Sequence, residues 1–154
     1  MVESSSAKGP GLANQTLGFT LLEVLMVVAI IAILSAIAYP SYLGYITRAN
    51  RAAAQGFMLE VSNRQERFLL DRRAYAANIG TLAVTIPNNV SQNYTVTTVS
   101  PSARAGAPSP SYDVNAQPTG SQATRDAACG TLTIDETGTK SISGSGSLST
   151  CWRQ

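Results

Sequence analysis

Histidine is absent from this sequence and cysteine occurs only twice. The usual ligand sets of structural zinc sites and the usual His-dependent nucleophilic sites are therefore missing, and no metal or cofactor is expected. Charge is also scarce: 13% of residues are charged and the formal balance is +2. The basic residues are scattered, or interleaved with Glu60, Glu66 and Asp71, rather than massed. That pattern gives no strong signal for nucleic acid as a primary partner. Asp113, Asp126, Asp135 and Glu136 read as solvated loop carboxylates, with nothing in the sequence placing two of them together as an acid/base pair. The expectation is a protein that is not an enzyme. At 154 residues the chain has room for one domain with a core of its own, and it shows no internal repeat.

The few charges are unevenly spread. Residues 1–18, MVESSSAKGPGLANQTLG, are rich in Ser, Gly and Ala, hold only Glu3 and Lys8 as charged groups, and read as a flexible leader. Phe19 to Ala38 then carries one charge, Glu23, in twenty residues. At about 1.5 Å rise each, about 20 apolar residues cross the hydrocarbon core of a bilayer as a helix. Beyond Pro40 the segment turns polar but keeps a helical period in Ile46, Ala49, Ala53, Phe57, Val61, Phe68 and Leu69, with Arg48, Arg51, Arg64 and Arg67 between them. The pattern predicts one long helix over about 19–70, with an apolar stem over 19–38 and an amphipathic half over 41–70. Pro40 removes the hydrogen bond to the carbonyl of Ala36 and predicts a kink. The competing reading ends the membrane helix there, because Gly44 also weakens the segment.

An amphipathic half-helix needs a partner, and the composition supplies one. From residue 81 the sequence shifts to Thr, Val, Ser and Gly in short alternating runs. Leu82–Ile86, Tyr94–Val99, Tyr112–Ala116 and Thr131–Asp135 are the expected strands, with a hairpin over Asp135–Lys140 that uses Gly138. Ser100–Ser111 contains Pro101, Pro108 and Pro110 and reads as an exposed loop. The Ser/Gly tract 141–149 reads as a short loop or edge. The fold class is α+β: a long helix packed through its second half on an antiparallel sheet of about four strands, with residues 71–154 forming a globular β domain.

A secretory signal peptide is the plainest alternative for the apolar run, since Ala36-Ile37-Ala38 fits a small-residue cleavage pattern. The run is too long for that, its leader lacks a net positive charge, and it contains Glu23. An ionised carboxylate in hydrocarbon is costly. Glu23 lies one turn from the start of the run, so snorkelling to the interface would make it tolerable without giving it a purpose.

Gly18-Phe19-Thr20-Leu21-Leu22-Glu23, followed by an unbroken apolar stretch and Pro40, resembles the class III signal of type IV pilins and of type II secretion pseudopilins. The resemblance implies that a prepilin peptidase cuts between Gly18 and Phe19 and methylates the new amino terminus at Phe19. It also implies that Glu23 pairs with the Phe19 ammonium of a neighbouring subunit, which would give the buried charge a partner. Pro40 would be the site where the helix bends. Gln65-Glu66-Arg67-Phe68, Tyr75, Asn93–Val96, Cys129–Ile134, Thr137–Lys140 and Cys151-Trp152 extend the resemblance to a minor pilin of the type IVa group.

The family encloses a surface region with a disulfide placed like a Cys129–Cys151 bond. These two cysteines allow one intramolecular pairing, and two reduced buried thiols are the alternative. Implied partners are other pilin subunits, prepilin peptidase, the inner-membrane pilus assembly machinery and, before assembly, membrane lipid. Implied placement is a single-pass inner-membrane protein with a periplasmic head, later an extracellular pilus supporting motility or adhesion. Arg48 and Arg51 follow the run without a nearby acid, so the positive-inside rule alone does not favour an exported head. The processing signal and the cysteine pair agree with each other and outweigh it. The competing functions are a type II secretion pseudopilin, a major pilin, and a secreted periplasmic binding domain released after Ala38.

Overall fold

The computed structural model describes residues 18–102 and 104–152. The leader expected over 1–18 lies outside them except for Gly18. By their contacts the described residues form two compact units, divided between Tyr39 and Pro40. Helix α1, Leu21–Arg72, gives its first part to the first unit and the rest to the second. Helical structure continues through Pro40, so the proline does not terminate it.

In the first unit α1 begins beside Thr20, whose Oγ1 accepts a hydrogen bond from the Glu23 amide at 3.2 Å. Thr-x-x-Glu is the spacing of a capping box, and a carboxylate in the first turn is favoured by the helix dipole. The large apolar side chains from Phe19 to Ile37 are all exposed. This is the one helix among the described residues long and apolar enough to cross a membrane.

In the second unit α1 buries Thr47, Arg51, Ala54, Phe57, Met58, Val61 and Gln65. The face is helical in spacing but rotated from the expected stripe: Ile46 is half-buried, Ala49 is exposed, and three polar side chains sit in the seam. The helix stops at Arg72 because Arg73 turns to a left-handed φ of 55° and donates its N–H to the Leu69 carbonyl at 2.7 Å. Gln65 then fastens the returning chain. Its Oε1 accepts from Ala76 N at 2.8 Å, while its Nε2 donates to Ala76 O and to Thr98 Oγ1, each at 2.9 Å.

Four antiparallel strands, β1 (Tyr94–Val99), β2 (Asp113–Pro118), β3 (Leu132–Asp135) and β4 (Lys140–Ile142), pair in chain order. Side chains alternate along a strand, and the register lines up inward rows. Val96 pairs with Ala116, Ala116 with Leu132, and Leu132 with Ile142. Thr98, Val114 and Ile134 form the next row. These rows join Ala54, Phe57, Met58 and Val61 of α1 in one core with Tyr94, Tyr112 and Trp152. Each large aliphatic or aromatic side chain so enclosed contributes about 1.5–3 kcal/mol.

β1, β3 and the hairpin match the expected segments closely. Leu82–Ile86 does not form a strand. Ile79–Leu82 is a 3-10 turn capped by the Asn78 side chain, and Ala83 follows at φ 51°. Leu82 is still buried, with Val84 and Ile86 packed against the core. The fourth strand is instead β4, after the hairpin. Short helices α2 (Asn88–Ser91), α3 (Gly120–Arg125) and α4 (Leu148–Cys151) complete the unit.

The Ser/Gly tract is packed rather than free. Ser143, Gly144 and Gly146 donate their N–H groups to the carbonyls of Thr131, Cys129 and Ala128 at 3.0, 3.1 and 2.7 Å. A Cβ on Gly144 would lie 2.2 Å from the Ala128 carbonyl oxygen. Gly144→Ala is therefore expected to destabilise the protein by about 1–3 kcal/mol through forced backbone movement. Gly56→Ala, with open space around it in the helix interior, should instead add about 0.5–1 kcal/mol. Denaturant unfolding of the full chain in detergent reads both changes, and equal effects would contradict the packing of the tract.

Candidate functional site

Two regions carry the residues singled out by the sequence. In the first unit, Gly18 has no heavy atom within 4 Å of where its Cβ would stand, and Phe19 is 80% exposed. Among the described residues the Gly18–Phe19 linkage is exposed just before the first helical turn. Phe19 and Glu23 lie one turn apart and line a shallow recess of about 260 Å³ with Val24, Val27 and Val28. The Glu23 carboxylate makes no ion pair among the described residues. It is free to meet a cation from another molecule.

In the second unit, polar side chains join α1 to the sheet. The Arg51 guanidinium meets Asp126 Oδ1 at 2.6 Å, with both side chains at most 10% exposed. Asp126 Oδ2 accepts from Tyr94 Oη at 2.8 Å and from Gln122 Nε2 at 3.3 Å. Gln122 Nε2 also reaches Tyr94 Oη at 2.9 Å and the Thr47 carbonyl at 3.0 Å. Burial, reinforced by the Asp126 hydrogen bond and charge, pushes the Tyr94 phenol well above its ordinary range, so it remains a donor. Arg51 is also bonded to Cys129 Sγ. Asp126 is thus a buried ion-pair partner, not the solvated loop carboxylate expected from sequence.

Cys129 and Cys151 form a disulfide, with Cα atoms 5.5 Å apart and both residues buried. Beside it Gln55 Nε2 donates to the Cys151 carbonyl at 2.6 Å, and Trp152 Nε1 donates to the Ser141 carbonyl at 3.1 Å. The terminal loop is therefore held to both α1 and β4.

At the other end of the strands one cation organises three acids. Arg104 contacts Asp113 and Asp135 at 2.9 Å each and Glu136 at 2.7 Å. This corrects the expectation that none of these carboxylates lie together, and it pins the proline-rich loop to the sheet. The group is an ion-pair knot rather than an acid/base pair, because every carboxylate faces the same guanidinium. Burial works to raise the Asp135 carboxyl, but hydrogen bonds from Thr137 and Thr139 and the Arg104 charge hold it below the usual range. Nearby, the Tyr75 and Tyr112 rings meet edge to face at 4.6 Å. Both hydroxyls reach Glu66. Burial, with the Glu66 charge adding to it, pushes the Tyr112 phenol up to about 12.

Sequence reasoning missed Gln65, Arg104, Gln122 and the Arg51–Asp126 pair. Asp126 stands 75 residues from Arg51, and Thr47 stands 75 residues from Gln122, beyond the reach of any local pattern. Among the described residues no group of His, Cys, Asp and Glu could hold a metal ion.

Comparison with known families matches residues 40–133 to the family described as "Type IV minor pilin ComP, DNA uptake sequence receptor". Residues 14–39 match the "Prokaryotic N-terminal methylation motif". No curated protein matches the chain.

Proposed function

We propose how this subunit is processed and used, proceeding from a plain premise: the chain belongs to the type IV minor pilin family named for ComP. It is a structural subunit of a type IV pilus, anchored in the membrane by its apolar helix before assembly. In our reading prepilin peptidase hydrolyses the Gly18–Phe19 bond and methylates the Phe19 amine. The stem Phe19–Ala38 is retained rather than discarded. The Glu23 carboxylate then pairs with the Phe19 ammonium of a neighbouring subunit, because a charge carried into an apolar filament core is tolerated when paired. Pro40 supplies the place where α1 yields during assembly, since it removes one backbone hydrogen bond. The head faces the periplasm, is handed to the inner-membrane assembly machinery, and reaches the cell exterior in a pilus that supports motility or adhesion.

The observation that carries this reading is the exposed Gly18–Phe19 linkage, with Glu23 one turn inside an apolar helix and without an ion-pair partner among the described residues. Intact-mass and N-terminal analysis of the chain from membranes and from sheared filaments tests it. The expected mature form begins at N-methylated Phe19, and Glu23→Ala should keep that form in membranes but remove it from filaments. A chain beginning at Tyr39 would sink the proposal and leave a secreted domain.

The family description names a DNA receptor, which would require cations massed along one face. Residues 71–154 hold six basic residues, Arg72, Arg73, Arg104, Arg125, Lys140 and Arg153, against five acidic ones, Asp71, Asp113, Asp126, Asp135 and Glu136. Arg104 is taken up by three carboxylates. We therefore assign this chain the role of pilus subunit and leave DNA reception to the family description.

A further inference from the structure

The second unit has a groove of about 670 Å³ between α1 and the disulfide loop. Pro40, Leu43 and Gly44 form its apolar floor, and Arg48 and Arg125 stand at its sides. Its charges do not cancel. Arg51 in the wall is matched by Asp126, whereas Arg48 and Arg125 are exposed and have no carboxylate within ion-pair distance among the described residues.

From these features we infer that the groove binds the phosphate of an anionic phospholipid while the subunit waits in the membrane. This rests on the membrane-anchored stage described above, and adds a ligand to it.

Three observations converge on lipid. First, only five residues of chain lie between Ala38, the end of the apolar run, and Gly44. So short a connection, at most about 3.6 Å per residue, keeps the groove within reach of the headgroup layer. Second, a Cβ on Gly44 would meet Arg48 Nη1 at 3.3 Å. The arginine therefore folds back one turn along α1, toward the apolar run, over the space the glycine leaves. Helical side chains lean toward the N-terminus in this way, which brings the guanidinium to the end of the second unit where the chain enters it. Third, Tyr42 and Tyr45 are 61% and 65% exposed. Tyrosines between an apolar span and basic residues suit the membrane interface, where one end of the ring is dry and the other wet.

The chemistry of the pair favours phosphate over a simple negative field. A guanidinium presents a planar fork of donors that matches two phosphate oxygens. Leu43 and Pro40 beside it offer an apolar surface for the glycerol and upper acyl segments. A free inorganic anion would have no use for that floor.

The test uses the full chain, purified in neutral maltoside micelles and titrated with phosphatidylglycerol or phosphatidylcholine. Native mass spectrometry counts the retained lipid. One phosphatidylglycerol per chain is expected, with clear preference over phosphatidylcholine. Each of Arg48→Gln and Arg125→Gln should lower that preference by about fivefold, the effect of removing one cation near an anionic surface. Gly44→Ala should lower it as well, by displacing Arg48 without changing charge. Arg64→Gln with Arg67→Gln, elsewhere on α1, should leave it unchanged. Equal retention of the two lipids, or a preference that survives the double Arg48/Arg125 change, overturns the inference. Complete displacement by millimolar inorganic phosphate would make it a free-anion site, and capture of a second subunit in place of lipid would make it a pilin interface. Either result also overturns the lipid assignment, while the processing at Phe19 would stand.

Discussion

Arg51→Met is expected to destabilise the head by about 3–5 kcal/mol, because it leaves Asp126 as a buried charge without its cation. The carboxylate would keep only the Tyr94 and Gln122 donors. It would also loosen the contact between α1 and α3, since Gln122 holds the Thr47 carbonyl in the same network. Thermal unfolding of the full chain in detergent should show a midpoint lower by on the order of 10–20 °C. Adding Asp126→Asn to Arg51→Met should recover part of the loss. It removes the stranded charge while keeping an oxygen that accepts from Tyr94. If the single change costs under about 1 kcal/mol, as an exposed ion pair would, or if the double variant is no better than the single one, the pair is not the fastening described here.

The same pair shows where sequence reading stops. The apolar helix, its continuation through α1, β1 and the hairpin were legible because each depends on local pattern: an unbroken apolar run, a helical period, strict alternation, a glycine in a turn. Leu82–Ile86 was misread for an instructive reason. Its alternation reports burial, and Leu82, Val84 and Ile86 do face the core. A strand also needs a neighbour to bond with, and alternation says nothing about that. The stripe on α1 was misplaced because Thr47, Arg51 and Gln65 read as surface residues. Arg51 and Gln65 are buried because groups beyond the helix satisfy them, and the Thr47 hydroxyl because it donates to the Leu43 carbonyl one turn back. The basic pair after the apolar run looks different for the same reason: in the folded head Arg51 is neutralised by Asp126, and among the described residues Arg48 makes no ion pair.

Removing the disulfide, by Cys129→Ser with Cys151→Ser, is expected to lower stability by about 3 kcal/mol on the chain-entropy estimate for its sequence separation of 22. The loss should be local in its first effects. The loop closed by the bond contains β3, β4 and the Gly144–Gly146 tract, whereas α1, β1 and β2 lie outside it. Amide hydrogen exchange should therefore rise first at Ser143, Gly144 and Gly146, whose bonds run to the chain beside Cys129, while Thr95 and Thr97, in the hydrogen-bonded pairs with β2, stay protected. Uniform loss of protection would mean that the bond holds the whole core, and unchanged exchange would mean that Trp152 and Gln55 suffice to anchor the loop. Because both cysteines are 2% exposed, a reductant reaches the bond only in molecules that have already opened, so reduction should follow local unfolding rather than precede it. A head that gains this much from an oxidised pair reaches full stability only where disulfides persist. Export would then complete folding as well as place the subunit for assembly.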